Sequence, residues 1–214
     1  MHALIIANGT LPQPDFVRGL VKFANIVICA DGGANHARQL GIKPDVIIGD
    51  FDSILPETRR YFTSVEQKHA EDQNSTDLEK AVEYCLEKKV TSTDIVGASG
   101  ARLDHTIVGL GIFKKYGEKL HIRMLDTVGE LTLIQKEIHL PTHEGEVFSL
   151  IPLETCTGIT TKNLKYPLSN EPLAPGVRDG LSNIATSDNI TITVSDGVLL
   201  IYRFHGHAWQ FSHR

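Results

Sequence analysis

At 214 residues the chain has room for one large domain or two small ones with a substantial core. Its 41% hydrophobic and 22% charged residues are ordinary for a globular protein, and a net charge of −5 offers no basic footprint for nucleic acid. The opening Met1-His2-Ala3-Leu4-Ile5-Ile6-Ala7 has no basic n-region and too short an apolar run for a signal peptide, and no stretch reaches transmembrane length. A cytoplasmic protein that engages no membrane is therefore expected. Cys29, Cys85 and Cys156 are far apart, with no CxxC pair, and read as small core residues in a reducing compartment.

Residues 3–7 form a short apolar run that reads as the first strand and stops at the turn signal Asn8-Gly9-Thr10. Residues 14–25 place Phe16, Val17, Leu20, Val21 and Phe23 near helical spacing, and 26–30 form a second strand. Asp31-Gly32-Gly33-Ala34-Asn35 then leads into a short helix ending near Leu40-Gly41. A glycine turn between strand and helix lets backbone approach a ligand, and the helix start favours an anion. A tight turn needing glycine for its dihedrals is the simpler account of Gly32 and Gly33.

The third strand, 46–48, runs into Gly49-Asp50-Phe51-Asp52-Ser53. In extended chain, residues i and i+2 face one way, so Asp50 and Asp52 are expected on one side with Cα atoms roughly 6.5–7 Å apart. Two carboxylates aimed at one place repel by up to ~4 kcal/mol at ~4 Å and an effective dielectric of 20. A divalent cation removes that repulsion, and Mg²⁺ suits a site of carboxylates plus substrate phosphates. Aspartates that merely cap neighbouring backbone are the alternative.

A helix over 56–62 and a strand over 64–69 follow. The polar loop Asp72-Gln73-Asn74-Ser75 precedes Thr76 and Glu79, whose spacing is that of a capping box, so a helix should begin at Asp77. Leu78, Ala81, Val82 and Cys85 form its buried stripe, and Asp77 and Lys80 share another face of the first turn. An acid there complements the helix dipole whether or not it has a further task. Another small-residue turn, Ala98-Ser99-Gly100-Ala101-Arg102-Leu103-Asp104-His105, follows a strand over 94–97 and opens a helix to about Tyr116. Arg102 can grip phosphate bidentately, although an Arg–Asp surface pair explains Arg102 and Asp104 equally simply. His105 reads as a hydrogen-bonding residue at the helix start.

Strands over 121–125 and 131–135 complete an alternation of strand and helix, which predicts a mostly parallel sheet covered by helices. Ligands of such sheets bind beyond the carboxyl ends of the strands, where Asp31, Asp50, Asp52, Arg102 and Asp104 all fall. Beyond Glu137 helical periodicity disappears. Short β runs over 146–151, 159–161, 189–194 and 198–204 are split by turn residues. The prediction is an α/β domain over 1–136 and a smaller all-β sandwich over 137–214. Asp179-Gly180-Leu181-Ser182-Asn183 breaks the β pattern and reads as turn chemistry. His205 and His207 share a strand face but lack an evident third metal ligand.

Asp31-Gly32-Gly33-Ala34-Asn35, Gly49-Asp50-Phe51-Asp52-Ser53, Asp72 to Asp77, Gly100 to His105, Lys165-Tyr166-Pro167-Leu168 and Gly180-Leu181-Ser182-Asn183 resemble, in order, the motifs of the thiamine pyrophosphokinase family. The resemblance implies an N-terminal α/β domain that binds ATP and Mg²⁺, a C-terminal β-sandwich that binds thiamine, and a homodimer with the active site at the subunit interface. It implies transfer of the pyrophosphoryl group of ATP to the hydroxyl of thiamine, giving thiamine diphosphate and AMP. Carried over residue by residue, Asp50, Asp52 and Asp77 match the family's magnesium-binding acids, and Asp31, Arg102 and Asp104 match positions around the phosphates and the reaction centre. Gln73 matches a thiamine-contacting glutamine, and Ser182 and Asn183 a thiamine-contacting turn. Gly32 and Gly33 belong to the nucleotide side, and Lys80 adds positive charge near the transferring group. Some relatives carry an aromatic shortly after the Ser-Asn pair, where Ile184, Ala185 and Thr186 stand here. Two other readings fit part of the pattern: a phosphatase with Asp50 as nucleophile, and a non-catalytic binder of thiamine or nucleotide.

Overall fold

The computed structural model describes residues 1–70, 72, 74–100 and 102–205. The chain divides into two compact units, one of residues Met1–Thr127 and one beginning at Val128. The first contains β1 (His2–Ile6), α1 (Pro14–Val21), β2 (Ile26–Ala30), α2 (Gly33–Gln39), β3 (Val46–Gly49), α3 (Pro56–Tyr61), β4 (Glu66–His69), α4 (Asp77–Glu87), β5 (Ser92–Val96), α5 (Leu103–Gly109), α6 (Gly111–Tyr116) and β6 (His121–Leu125). Its strands lie in the order β6-β5-β1-β2-β3-β4, and each neighbouring pair is parallel. Strand order reverses between β1 and β5, and a crevice opens at such a switch point beyond the carboxyl ends.

The central strands β1, β2 and β3 are buried almost throughout. Leu4, Ile6, Val27, Cys29 and Ile47 pack with Val17 of α1 and with Ala34 and Ala37 of α2. Their burial explains why β1, β2 and β3 read as nearly continuous apolar runs rather than alternations, whereas the outer strand β4 is polar, with no buried residue. The helix expected to run unbroken to Tyr116 is instead two, joined at Leu110 between Gly109 and Gly111. Two poor helix formers flanking one residue weaken the propagation of a single helix. α4 begins at Asp77 as expected, with the Thr76 hydroxyl accepting the Glu79 N–H at 3.2 Å. The reciprocal half of the capping box is diverted. The Glu79 carboxylate accepts the Tyr116 hydroxyl at 2.9 Å and pairs with Lys115. Those contacts hold its carboxyl below the usual range against the opposing effect of its own desolvation. The buried face of α4 is Ala81, Val82, Tyr84 and Cys85, with Leu78 only half-buried.

The second unit is antiparallel throughout. β7 (Gly129–Ile134), β9 (Val147–Pro152), β12 (Gly180–Ile184) and β14 (Leu199–Phe204) pair in the order β12-β9-β14-β7. A second sheet has the order β11-β10-β13-β8, from β8 (Glu137–Pro141), β10 (Cys156–Lys162), β11 (Glu171–Leu173) and β13 (Asn189–Thr193). Side chains of both sheets, among them Ile134, Phe148, Ile159, Ile192 and Ile201, share one core. The α/β-then-sandwich architecture is therefore present. The break falls after Thr127, ahead of the expected residue 136, because β7 pairs antiparallel with β14 and so belongs to the sandwich. Among the described residues no helix is long and apolar enough to cross a membrane.

Candidate active site

The site is built where the parallel strands end. Asp31 leaves β2 in the left-handed region at φ 42°, and its N–H bonds the Ile48 carbonyl of β3 at 2.8 Å. That bond ties the end of β2 to the next strand and leaves the Asp31 side chain only 4% exposed. One carboxylate oxygen, Oδ2, accepts the Ser53 N–H at 3.1 Å. The other, Oδ1, is buried with no hydrogen-bond partner. Asp50 follows β3, and Asp77 is the first residue of α4. One carboxylate oxygen from each of Asp31, Asp50 and Asp77 lies within 4.8 Å of the others. Gly49 makes the convergence possible: a side chain there would stand 2.8 Å from Asp31 Cβ and 3.2 Å from Asp77 Oδ1. Burial pushes the Asp31 carboxyl above the usual carboxylate range, and the Asp77 charge pushes it the same way, while the Ser53 N–H pulls it down.

Asp52 is not part of the convergence. The strand ends at Gly49 and Phe51 adopts φ 68°, so the extended geometry that would align residues 50 and 52 does not exist. The Asp50 carboxylate instead accepts the Asp52 N–H at 3.2 Å, and exposed Asp52 accepts the Ser53 hydroxyl at 2.8 Å. Lys80 is 8% exposed and spends its charge inside the protein, donating to Asp77 Oδ1 at 3.1 Å and to the Ala70 carbonyl at 3.0 Å.

These groups open into a cleft of about 380 Å³, within the usual range for a small-molecule site. Asn8 and Gly9 after β1, Gly97 to Ser99 after β5, Arg102, His105 and Thr106 line it together with Asp31, Asp50, Asp72, Asp77 and Lys80. Arg102 is exposed and donates Nε to Asp104 Oδ1 at 3.1 Å, with a second bond from its terminal nitrogen to Oδ2. Those bonds hold the exposed Asp104 carboxyl near 2. Asp72 organises the loop before α4, accepting the Asn74 N–H at 2.9 Å and the Ser75 hydroxyl at 3.0 Å. Gln73 lies outside the described residues.

Gly32 and Gly33 do not line the cleft. Gly32 has an ordinary φ of −57°. The pair is required for space: a side chain at Gly33 would stand 2.0 Å from the Ile6 carbonyl oxygen, and one at Gly32 2.3 Å from the Asn8 amide. Close packing of α2 on the backbone of β1 therefore requires glycine at Gly33, while Gly32 faces the Asn8 side chain.

In the second unit Gly180–Ile184 is a strand rather than a turn, with a register shift between Gly180 and Asn183 and φ 55° at Ser182. The Ser182 N–H bonds the Ser149 hydroxyl at 3.0 Å. Asn183 is buried, accepting the Tyr166 N–H at 3.0 Å and the Ile184 N–H at 2.9 Å and donating to the Tyr166 carbonyl at 2.7 Å. It clamps the backbone of Tyr166, a residue that is 58% exposed. Tyr166 had no task in the sequence beyond its place in the Lys165–Leu168 motif, and its signal there is an aromatic beside a proline in a loop of the β unit. Of the histidine pair, His205 is described and His207 lies outside the described residues.

The chain matches two family models. The description "Thiamin pyrophosphokinase, catalytic domain" fits residues 17–124. "Thiamin pyrophosphokinase, vitamin B1 binding domain" fits residues 135–199. Thiamine pyrophosphokinase 1 of Oryza sativa subsp. japonica is 30% identical over 93% of this chain and 85% of its own length. Thiamine pyrophosphokinase 1 of Arabidopsis thaliana is 31% identical over 93% of this chain and 84% of its own. The crystal structure of thiamine pyrophosphokinase from Bacillus subtilis superposes with a TM-score of 0.83 at 25% identity, covering 95% of this chain and 99% of that one. Neither the phosphatase nor the non-catalytic reading is favoured by these matches. On two family models that together span most of its length, and on relatives aligned almost end to end, the chain belongs to the thiamin pyrophosphokinase family.

Proposed function

We propose that the cleft binds ATP together with a divalent cation held by Asp31, Asp50 and Asp77, and that Mg²⁺ is the natural ion. The protein is a thiamine diphosphokinase: it transfers the pyrophosphoryl group of ATP to the hydroxyl of thiamine, giving thiamine diphosphate and AMP. The observation that carries the cation site is the buried Oδ1 of Asp31, which has no partner and stands within 4.8 Å of two further carboxylates. An all-oxygen donor set of acids fits a hard cation that also takes phosphate oxygens. When bound, the ion supplies charge neutralisation at the phosphates.

The chain's own residues do the rest by positioning, which dominates phosphoryl chemistry. Lys80 fixes the orientation of Asp77 and ties the Ala70 carbonyl to α4. Arg102 is exposed at the cleft, and a phosphate can displace Asp104 from its guanidinium fork. Asp72, Asn74 and Ser75 are held together by their own hydrogen bonds, as suits residues that orient a small ligand. The expected assay result is equimolar AMP and thiamine diphosphate from ATP, thiamine and Mg²⁺, resolved by chromatography. ADP and thiamine monophosphate would place the attack at the γ-phosphorus and overturn this reading.

Thiamine binding is assigned to the second unit, with a homodimer that presents it at the subunit interface. Apolar side chains left exposed in each unit support this. On α5, beside the cleft, they are Leu103, Ile107 and Val108; in the sandwich they are Tyr166, Val177 and Leu181. Tyr166 offers the ring face that the positions after Asn183 do not, and a cationic thiazolium ring is a suitable partner for it. Tyr166→Ala should raise the KM for thiamine about tenfold, a loss of ~1.4 kcal/mol, and leave the KM for ATP within about twofold. Steady-state kinetics with each substrate varied separately checks the split.

A further inference from the structure

We propose that Phe51 is a positioning residue, whose ring, held between Arg59 and His69, locks the turn that delivers Asp50 to the cation site. Phe51 has φ 68°, in the left-handed region. A bulky residue in that region is a true outlier that persists only when its surroundings over-determine it. The surroundings do so here. The Phe51 ring packs against the core of the first unit. Its centroid lies 5.4 Å from that of the His69 ring, at 42°. The Arg59 guanidinium carbon sits 5.2 Å from it on the other element, α3. His69 ends β4 and pairs in register with Gly49, so the turn is gripped from the strand beside it and from the helix after it.

The consequence is visible in the acids on either side. With Phe51 extended, Asp50 and Asp52 would face one way. With Phe51 left-handed they part: Asp50 joins Asp31 and Asp77, and Asp52 turns to the Ser53 hydroxyl. The chain fold between them is closed by the Asp52 N–H on Asp50 Oδ1. The clamp thus selects which of two neighbouring carboxylates enters the cluster. Glycine would adopt the same backbone without strain, so the presence of a ring points to anchorage rather than to conformational permission alone.

This inference rests on the cation site proposed above, and one titration separates the two. Mn²⁺ binding to the purified chain, measured by electron paramagnetic resonance, is compared for the parent, Phe51→Gly, Phe51→Tyr and Arg59→Gln. The parent should bind one ion. Phe51→Gly keeps the turn accessible but removes the anchor, and should weaken Mn²⁺ binding about tenfold or more, as loss of an outer-shell partner does. Arg59→Gln, an exposed change that leaves the core intact, should weaken it about twofold to fivefold. Phe51→Tyr should restore parental affinity. A parent that binds no Mn²⁺ defeats the cation site itself. A parent that binds, with Phe51→Gly and Arg59→Gln both within twofold of it, defeats the role of Phe51 alone, as does a melting-temperature loss in Phe51→Gly unaccompanied by any change in Mn²⁺ affinity.

Discussion

Asp31→Asn should cut turnover severely and at the same time raise the melting temperature of the cation-free protein. The two effects have one cause. Asp31 presents a buried, unpartnered Oδ1 to two other carboxylates. Without a cation that arrangement is unfavourable, and burial with the Asp77 charge raises the Asp31 pKa. A carboxyl whose pKa is raised on folding binds more protons in the native state than in the unfolded one. Its contribution is therefore fully present below the ordinary carboxylate range and is lost as pH rises through the elevated native value. At neutral pH the ionised Asp31 weakens the fold. Asparagine removes the charge, tolerates the left-handed backbone found at φ 42° and keeps an oxygen for the Ser53 N–H. Each ~1 kcal/mol relieved should lift the melting point by about 2–4 °C. Turnover should fall on the order of a thousandfold, the scale reached when a group stabilising transition-state charge is removed. Thermal melts with and without Mg²⁺, paired with the AMP assay, check both halves. The added Mg²⁺ should stabilise the parent and not the variant.

Gly33→Ala should cripple the fold rather than the chemistry. The new methyl group would stand 2.0 Å from the Ile6 carbonyl oxygen and 2.7 Å from its carbon. Both are backbone atoms of β1, a strand buried from Ala3 to Ile6 and bonded on both sides, so they cannot move aside. Helix α2 must back away from the sheet, at a loss of about 3 kcal/mol, the upper end for overpacking. The displaced helix carries Asn35, which fastens the 50–55 loop by donating to the Ser53 carbonyl at 2.9 Å and accepting the Leu55 N–H at 3.1 Å. Gly19→Ala is the control. It sits inside α1 with open space around it and should stabilise by roughly 0.5–1 kcal/mol. Urea unfolding midpoints distinguish the two. If Gly33 served a ligand instead, Gly33→Ala would unfold like the parent and lose only nucleotide binding.

The parallel sheet was legible because strands buried on both faces leave uninterrupted apolar runs, and β2 and β6 match their sequence-based limits residue for residue. The sandwich was legible in outline only. β8 hides its inward Ile138 and Leu140 between Glu137, His139 and Pro141 in a five-residue strand, and β12 hides behind the Asp-Gly and Ser-Asn pairs that usually mark turns. Pattern rules assume regular backbone, and the site departs from it. The expectation that Asp50 and Asp52 act together came from strand geometry, which stops at Gly49. Asp31, 19 residues before Asp50 in sequence, joins the cluster only because β2 and β3 are neighbours in the sheet. Asn183 shows a second task that residue type does not reveal: its side chain holds the backbone of Tyr166.

The proposed cation site comprises Asp31, Asp50 and Asp77, without Asp52. It is tested most directly by titrating Mn²⁺ into Asp31→Asn and Asp52→Asn and counting bound ions by electron paramagnetic resonance. The arrangement of the three acids predicts that Asp31→Asn loses the bound ion and Asp52→Asn retains it with near-parental affinity. An Asp52→Asn chain that no longer binds Mn²⁺, beside an Asp31→Asn chain that still does, would contradict it.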